Sequence, residues 1–352
     1  MPNPAPRPRD LQFLDALRGL LITFVVGIHA TRYTALAPGW QLDVIMFVVS
    51  TATVKSFFLV DGLLFARSLQ LDAAFRVAPR LRASARRLLL PWLLFSALYL
   101  ALRTFGGRLG FTPVAGLSAH HGSLAAVCEA LWYSDTSAQM YFLVSLFVVR
   151  ACALLCWRAL LRCPLPALVA LAGALALAFR LWVEPAVLAA GPRYAMDPLL
   201  LALGGSAFFI AGMACWRAGW QQPGWHPRMI ALLMIVAVAA AASRTALGTA
   251  MAEFAYALAL LRAFAARPYS PHWLNALGRR TMGIYLIHMP VMLRIATTAV
   301  FAGLRLQGVP AYLIVVPLTT ALSFGAVMLV ERVGLADLLF GASPARRDAG
   351  AR

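Results

Sequence analysis

The chain has 352 residues, of which 62% are hydrophobic and only 12% charged, with a mean hydropathy of +0.78. A soluble domain carries about 25% charged residues, so a water-soluble globule is excluded. The net charge of +18 does not point to nucleic acid, because the cations lie in short stretches between long apolar runs, the pattern of a polytopic membrane protein.

Apolar windows of about 17–25 residues mark spans. In chain order they fall near 13–32, 42–66, 88–104, 139–157, 165–183, 199–216, 228–243, 246–264, 278–300 and 311–331. Residues 1–12 (MPNPAPRPRD and on) are polar and basic and read as a cytoplasmic tail. The apolar run after them has no small-x-small cleavage site and is read as a retained first span rather than a signal peptide. Alternate connections are arginine-rich: Arg67, Arg76, Arg80, Arg82, Arg86 and Arg87 lie in one of them, Arg262, Arg267, Arg279 and Arg280 in another. The opposite set holds fewer, among them Arg32, Arg103 and Arg305. The positive-inside rule then predicts both termini inside. The fold class predicted is an all-α polytopic membrane protein with about ten transmembrane helices, N-in and C-in. The transmembrane domain runs over 13–332, and 333–352 is a polar cytoplasmic tail expected to be disordered. The longest outer loop, 105–138, carries His120, His121, Glu129 and Trp132 and has room for a short interfacial helix.

Seven ionisable side chains fall at membrane depth: Arg18, His29, Lys55, Asp61, Arg150, Glu253 and His288. Insertion scales put a central Arg, Lys or Asp at about 2.5–3.5 kcal/mol. A polar cavity between helices explains such a set more economically than packing alone, and a set of structural ion pairs is the rival explanation. Arg18 and His29 stand out. Eleven steps on a helix advance about 1100°, three turns plus about 20°, so both lie on one stripe, roughly 16 Å apart in depth. His29 is a base able to take and return a proton near neutral pH, its ordinary pKa being about 6.5. Its bland alternative is a packing histidine bonded to a backbone carbonyl. Arg18 lies nearer the cytoplasmic surface and can grip a phosphate or carboxylate with paired donors. Alternatively it snorkels, paired with Asp15 one turn earlier. An Arg18–Asp61 pair is also plausible, and Glu253 can neutralise Arg150 or Lys55. In RLRASARRLLLPW, Arg86 and Arg87 are donor-phosphate candidates or simply topology-setting cations. The five cysteines have no zinc-like spacing and read as packing residues, and no metal site is predicted.

Five stretches in order resemble the acyltransferase family 3 of membrane-bound acyl-transfer enzymes, over nearly the whole chain. LDALRG with Arg18 and His29 is similar to the first-span element of an arginine, ten residues and a histidine. FFLVDGLLFARS resembles the FFxxSGFL element, with Asp61 in place of a small polar residue. ARRLLLPW, MYFLVSLFVV (Tyr141 for tryptophan) and LGRRTMGIYLIHMPVM resemble later elements, the last most closely. The resemblance implies an O-acyltransferase that moves an acetyl or succinyl group from a cytoplasmic donor, acyl-CoA, to a hydroxyl of a cell-surface or periplasmic carbohydrate, in a bacterial inner membrane. Arg18 would help to hold the donor, and His29 would act as general base on the acceptor hydroxyl or help to pass the acyl group outward. Lys55 or Arg150 would stabilise the oxyanion, and Tyr285 with His288, at i and i+3, would line the cavity or else pack between helices. No bound cofactor is implied; the partners are acyl-CoA, the carbohydrate and the bilayer, not nucleic acid. Two rival readings remain. In one, a transporter or flippase uses the buried charges as a coupling path; the other is a non-catalytic sensor or scaffold.

Overall fold

The structure, a computed structural model, describes residues 11–72, 75–108, 124–135, 137–191, 194–222, 224, 226–266 and 270–341. The expectations for the N-terminal tail to residue 10, for His120 and His121, and for the last eleven residues, 342–352, lie outside the described residues. The described part is helical, with no strand among the described residues. Nine of its helical stretches are long and apolar enough to cross a membrane, and Pro227–Ala242 is a shorter apolar helix beside them. The all-α polytopic architecture is thus present, and the ten predicted spans correspond to the nine plus the short one.

The helices are α1 (Gln12–Ala30), α2 (Trp40–Ser50), α3 (Thr53–Leu71), α4 (Val77–Arg108), α5 (Leu124–Trp132), α6 (Tyr141–Leu155), α7 (Trp157–Arg162), α8 (Leu165–Ala178), α9 (Glu184–Ala190), α10 (Pro198–Arg217), α11 (Pro227–Ala242), α12 (Ala246–Ala265), α13 (His272–Arg279), α14 (Thr281–Ile287), α15 (Leu293–Ala299), α16 (Gly308–Arg332) and α17 (Ala336–Leu339). Several spans are broken rather than continuous. The second is two helices, with Ala52 outside helical geometry (φ −140°, ψ 12°) between them. The ninth, Thr281–Leu304, is split into α14 and α15 by a wide-turn segment His288–Met292, and α13 precedes it. Its cause is local. Pro290 has no N–H, so the Leu286 carbonyl loses its helical partner, and the Tyr99 hydroxyl donates to it instead. Met289 takes extended geometry (φ −129°, ψ 142°), and its carbonyl accepts from the Gln139 side-chain amide at 2.8 Å.

α1 and α10 are the most enclosed helices, whereas α4, α8 and α16 turn leucines such as Leu98, Leu171 and Leu329 outward. Without a hydrophobic drive between helices in lipid, close packing depends on small residues. A Cβ on Gly62 would lie 1.9 Å from the Phe209 carbonyl oxygen, and one on Gly212 would lie 1.9 Å from that of Leu59, so α3 and α10 meet backbone to backbone. The α1–α13 crossing is equally tight. A Cβ on Gly19 would sit 2.1 Å from the Leu274 oxygen, and one on Gly278 1.6 Å from the Asp15 oxygen. The glycines of LDALRG and LGRR are therefore contact points between the first span and α13, the helix that leads into the ninth. Gly62→Val is expected to destabilise the protein by about 3 kcal/mol or more, since neither backbone can yield. A thermal unfolding midpoint in mild detergent within a degree of wild type would contradict this.

One boundary differs from expectation. The segment 333–341, predicted to begin a disordered tail, is packed: α17 follows α16 after a turn, and Phe340 stacks on Phe95 with ring centroids 6.2 Å apart. Ala336, Leu339 and Phe340 supply the apolar surface that docks it, a signal masked by the polar text beyond.

Candidate active site

Two cavities open at opposite ends of α1. The first, about 190 Å³, is lined by Asp15 and Arg18 of α1, Asp61 of α3, Arg87 of α4, Arg150 of α6, Arg279 and Arg280 at the α13–α14 junction, and Glu331 near the end of α16. Five arginines face three carboxylates there, an excess of positive charge that favours anions over cations. The second, about 160 Å³, is lined by His29 and Arg32 at the far end of α1, by Gln139, Tyr141 and Phe142 at the start of α6, and by Met196. Arg18 and His29 belong to one helix, and each lines a different chamber.

The carboxylates of the first cavity are engaged. Asp61 holds Arg150 in a two-pronged pair, with the Arg150 Nε donating to Oδ2 at 2.6 Å and a second guanidinium nitrogen donating to Oδ1. Of the two alternatives weighed for Arg18, the pair with Asp61 is not formed. Asp61 sits opposite α6 rather than α1, a matter of azimuth that depth along a helix does not fix. Arg18 instead lies 3.7 Å from Asp15, three residues earlier on its own helix, and still lines the cavity. Arg280 donates from Nε to Glu331 at 2.9 Å. Arg87 lines the cavity whereas Arg86, one residue and about 100° earlier on α4, does not.

Lys55 and Glu253 line neither cavity. Glu253 accepts from both Lys55 and Arg180, and Arg180 also bonds Glu184 at 2.5 Å. This is a four-member ion network, buried at Glu253 and opening toward Glu184, that joins α3, α12, the wide-turn segment Phe179–Val183 and α9. Of the two partners open for Glu253, Arg150 and Lys55, it has Lys55, and it adds Arg180 and Glu184, which sequence reasoning missed. Their signal was a second pair of charges, FRLWVEP, at the edge of an apolar run.

Around the second cavity the polar atoms are arranged by the broken ninth span. His288 is fully buried, its ring centroid 5.3 Å from that of His29. The His288 Nδ1 contacts the Tyr285 carbonyl at 2.8 Å and the Ile284 carbonyl at 3.2 Å. Carbonyls only accept, so Nδ1 carries the proton and Nε2 keeps its lone pair. That Nε2 is buried and has no hydrogen-bond partner among the described residues. His288 lines neither cavity directly; it backs His29. The Tyr285 hydroxyl donates to the Gln139 carbonyl. Gln139 is also held by Ser137 at 2.5 Å. Sequence reasoning missed Gln139, Tyr141, Phe57 and Phe142 as lining residues. Their one signal was that they flank or lie within the motif stretches FFLVDG and MYFLV.

Three residues line both cavities: Phe57, Phe142 and Tyr285. Their rings form a layer, with centroids 5.9 Å apart for Phe57–Phe142 and 5.6 Å for Phe142–Tyr285. Chemically, the arrangement offers an anion-binding chamber, a base-bearing chamber with a backing imidazole, and an apolar layer between. Among the described residues no three His, Cys, Asp or Glu side chains gather as metal ligands.

A family model described as an acyltransferase domain matches residues 11–328. No curated protein and no solved structure matches the chain.

Proposed function

Since the chain belongs to acyltransferase family 3 and is a multi-pass membrane protein of acyl-transferring type, we propose that it takes a short acyl group from acyl-CoA at the Arg18 cavity and delivers it to a hydroxyl of a carbohydrate at the His29 cavity. The observation that carries this reading is that Arg18 and His29, on one helix, line two separate cavities that share a wall. The arginine-rich cavity lies at the helix ends whose connections hold most of the cations, so the positive-inside rule puts it on the cytoplasmic side, where acyl-CoA is made. The His29 cavity then faces outward, toward surface glycans in a bacterial inner membrane.

In this mechanism the CoA phosphates meet Arg87 and Arg279 at the cavity mouth, and Arg18 holds the donor deeper in. The thioester end reaches the ring layer. His29 takes the proton of the acceptor hydroxyl as its oxygen attacks the thioester carbon. The C–O bond forms, the C–S bond breaks, and the proton passes to the departing thiolate. His288 positions the base: its Nε2 lone pair faces no other hydrogen-bond donor among the described residues, and its Nδ1 is tied to the backbone. Arg150 is engaged by Asp61, and Lys55 by Glu253, so neither is the oxyanion stabiliser favoured by this reading. Arg32, lining the His29 cavity, is better placed for that role.

Solubilised protein given labelled acyl-CoA and a deacylated cell-surface polysaccharide should place the label covalently on the polysaccharide. Unmodified polysaccharide with intact acyl-CoA would favour a carrier instead. Within the same assay, Arg18→Ala is expected to raise KM for acyl-CoA about 10- to 100-fold, the worth of one charge-assisted contact of about 1.5–3 kcal/mol, with kcat less affected. An unchanged KM would remove Arg18 from donor binding.

A further inference from the structure

We infer that the ring layer of Phe57, Phe142 and Tyr285 is the acyl selectivity element, and that it admits a small uncharged acyl group, acetyl, while rejecting both longer and carboxylate-bearing ones such as succinyl. The inference rests on the proposed donor and acceptor cavities and adds to them the substrate class.

Only these three residues are common to the linings of both chambers. Ring centroids at 5.9 and 5.6 Å are contact distances for aromatic pairs, so Phe142 touches both Phe57 and Tyr285. The three are held unequally. Tyr285 is anchored by its hydroxyl to the Gln139 carbonyl. Phe142 is wedged by Phe58, with centroids 5.2 Å apart, as well as by its two partners in the layer. Phe57 is half-buried and has one ring contact among the described residues, to Phe142. Phe57 is therefore the ring that moves, and the opening it yields is about one ring edge wide. An acetyl group fits such an opening; each further methylene must displace a fixed ring.

Charge gives the second part. The cations of the donor side, Arg18 and Arg150 among them, line the first cavity only, and Arg32 lines the second only. Within the layer the sole polar atom is the Tyr285 hydroxyl, already donating to Gln139. A carboxylate entering the layer would leave its counter-charges and find no donor, and unpaired ions are strongly disfavoured in apolar surroundings. The same arginines would hold a succinyl carboxylate on the donor side.

The test compares acetyl-CoA, butyryl-CoA and succinyl-CoA as donors for purified wild type, Phe57→Ala and Phe57→Leu, reading CoA thiol release in the presence of deacylated polysaccharide. Each result is taken as a ratio of kcat/KM within one protein, so partial loss of folded material cancels. Wild type should prefer acetyl over butyryl at least tenfold and over succinyl at least a hundredfold. Phe57→Ala should raise the butyryl-to-acetyl ratio at least tenfold, Phe57→Leu by less, and neither should admit succinyl. Ratios within twofold of wild type in both variants, or wild-type use of succinyl equal to acetyl, would overturn the selectivity proposal while leaving the acyl-CoA reading intact. Absence of thiol release from every thioester by folded wild type would overturn the donor assignment, and the filter with it.

Discussion

His29→Ala should abolish acyl transfer, lowering kcat by about 10²- to 10⁴-fold, the range expected for loss of a positioned general base, while the protein stays folded in the membrane. The reason for both halves is structural. His29 is half-buried at the wall of a cavity, near the end of α1, and the tight α1–α13 crossing that fixes this helix lies at Gly19, ten residues away. Removing the imidazole enlarges a cavity that already exists, so the fold has little to lose. His288 cannot substitute: it lines neither chamber, and its protonated Nδ1 is committed to backbone carbonyls. His288→Ala is expected to give a smaller loss, because it removes the ring that backs His29 at 5.3 Å. Wild-type product levels in folded His29→Ala would remove the base role outright.

Asp61→Leu should destabilise the protein by about 3–5 kcal/mol, and Asp61→Leu with Arg150→Leu should recover most of that loss. Breaking a buried pair leaves an uncompensated charge, whereas replacing both members by apolar groups is often neutral. The geometry fits this case. Asp61 is 6% exposed and its carboxylate spans the Arg150 guanidinium with two bonds, between two apolar helices long enough to cross a membrane. Thermal unfolding in mild detergent measures both. A single variant as stable as wild type would mean that water or another carboxylate compensates Arg150. A double variant no better than the single one would mean that the pair itself holds α3 against α6. Because Arg150 also lines the donor cavity, the double variant is expected to regain stability without regaining full activity.

The sequence made the spans legible, because bilayer thickness imposes a length that apolar windows reveal. The Arg18–His29 stripe was legible for the same kind of reason: helical geometry converts a spacing of eleven into a shared face and a depth. Pairing was not. Asp61 and Arg18 lie at similar depth, yet Asp61 faces Arg150 across to α6, because partner choice depends on how each helix is rotated about its axis. Nothing in one helix records the rotation of its neighbours. The Lys55–Glu253 pair was among the alternatives weighed, while its extension to Arg180 and Glu184 was hidden at the edge of an apolar run that reads as ordinary membrane text. The ring layer was hidden more completely. Phe57, Phe142 and Tyr285 come from three separate spans, and an aromatic residue in a membrane helix carries no local sign that it faces two cavities rather than lipid. The break at Met289–Pro290 was half visible, since proline announces a lost hydrogen bond but not that Tyr99 and Gln139 supply the compensation.

The central claim is that donor and acceptor are served from opposite ends of α1, and oriented membrane vesicles test it directly. Vesicles with the arginine-rich helix ends facing the medium receive labelled acetyl-CoA outside and deacylated polysaccharide sealed inside. Label should appear covalently on the enclosed polysaccharide, and should fall to background in vesicles carrying His29→Ala. Transfer that occurs only when acetyl-CoA and polysaccharide share the same compartment would contradict the account.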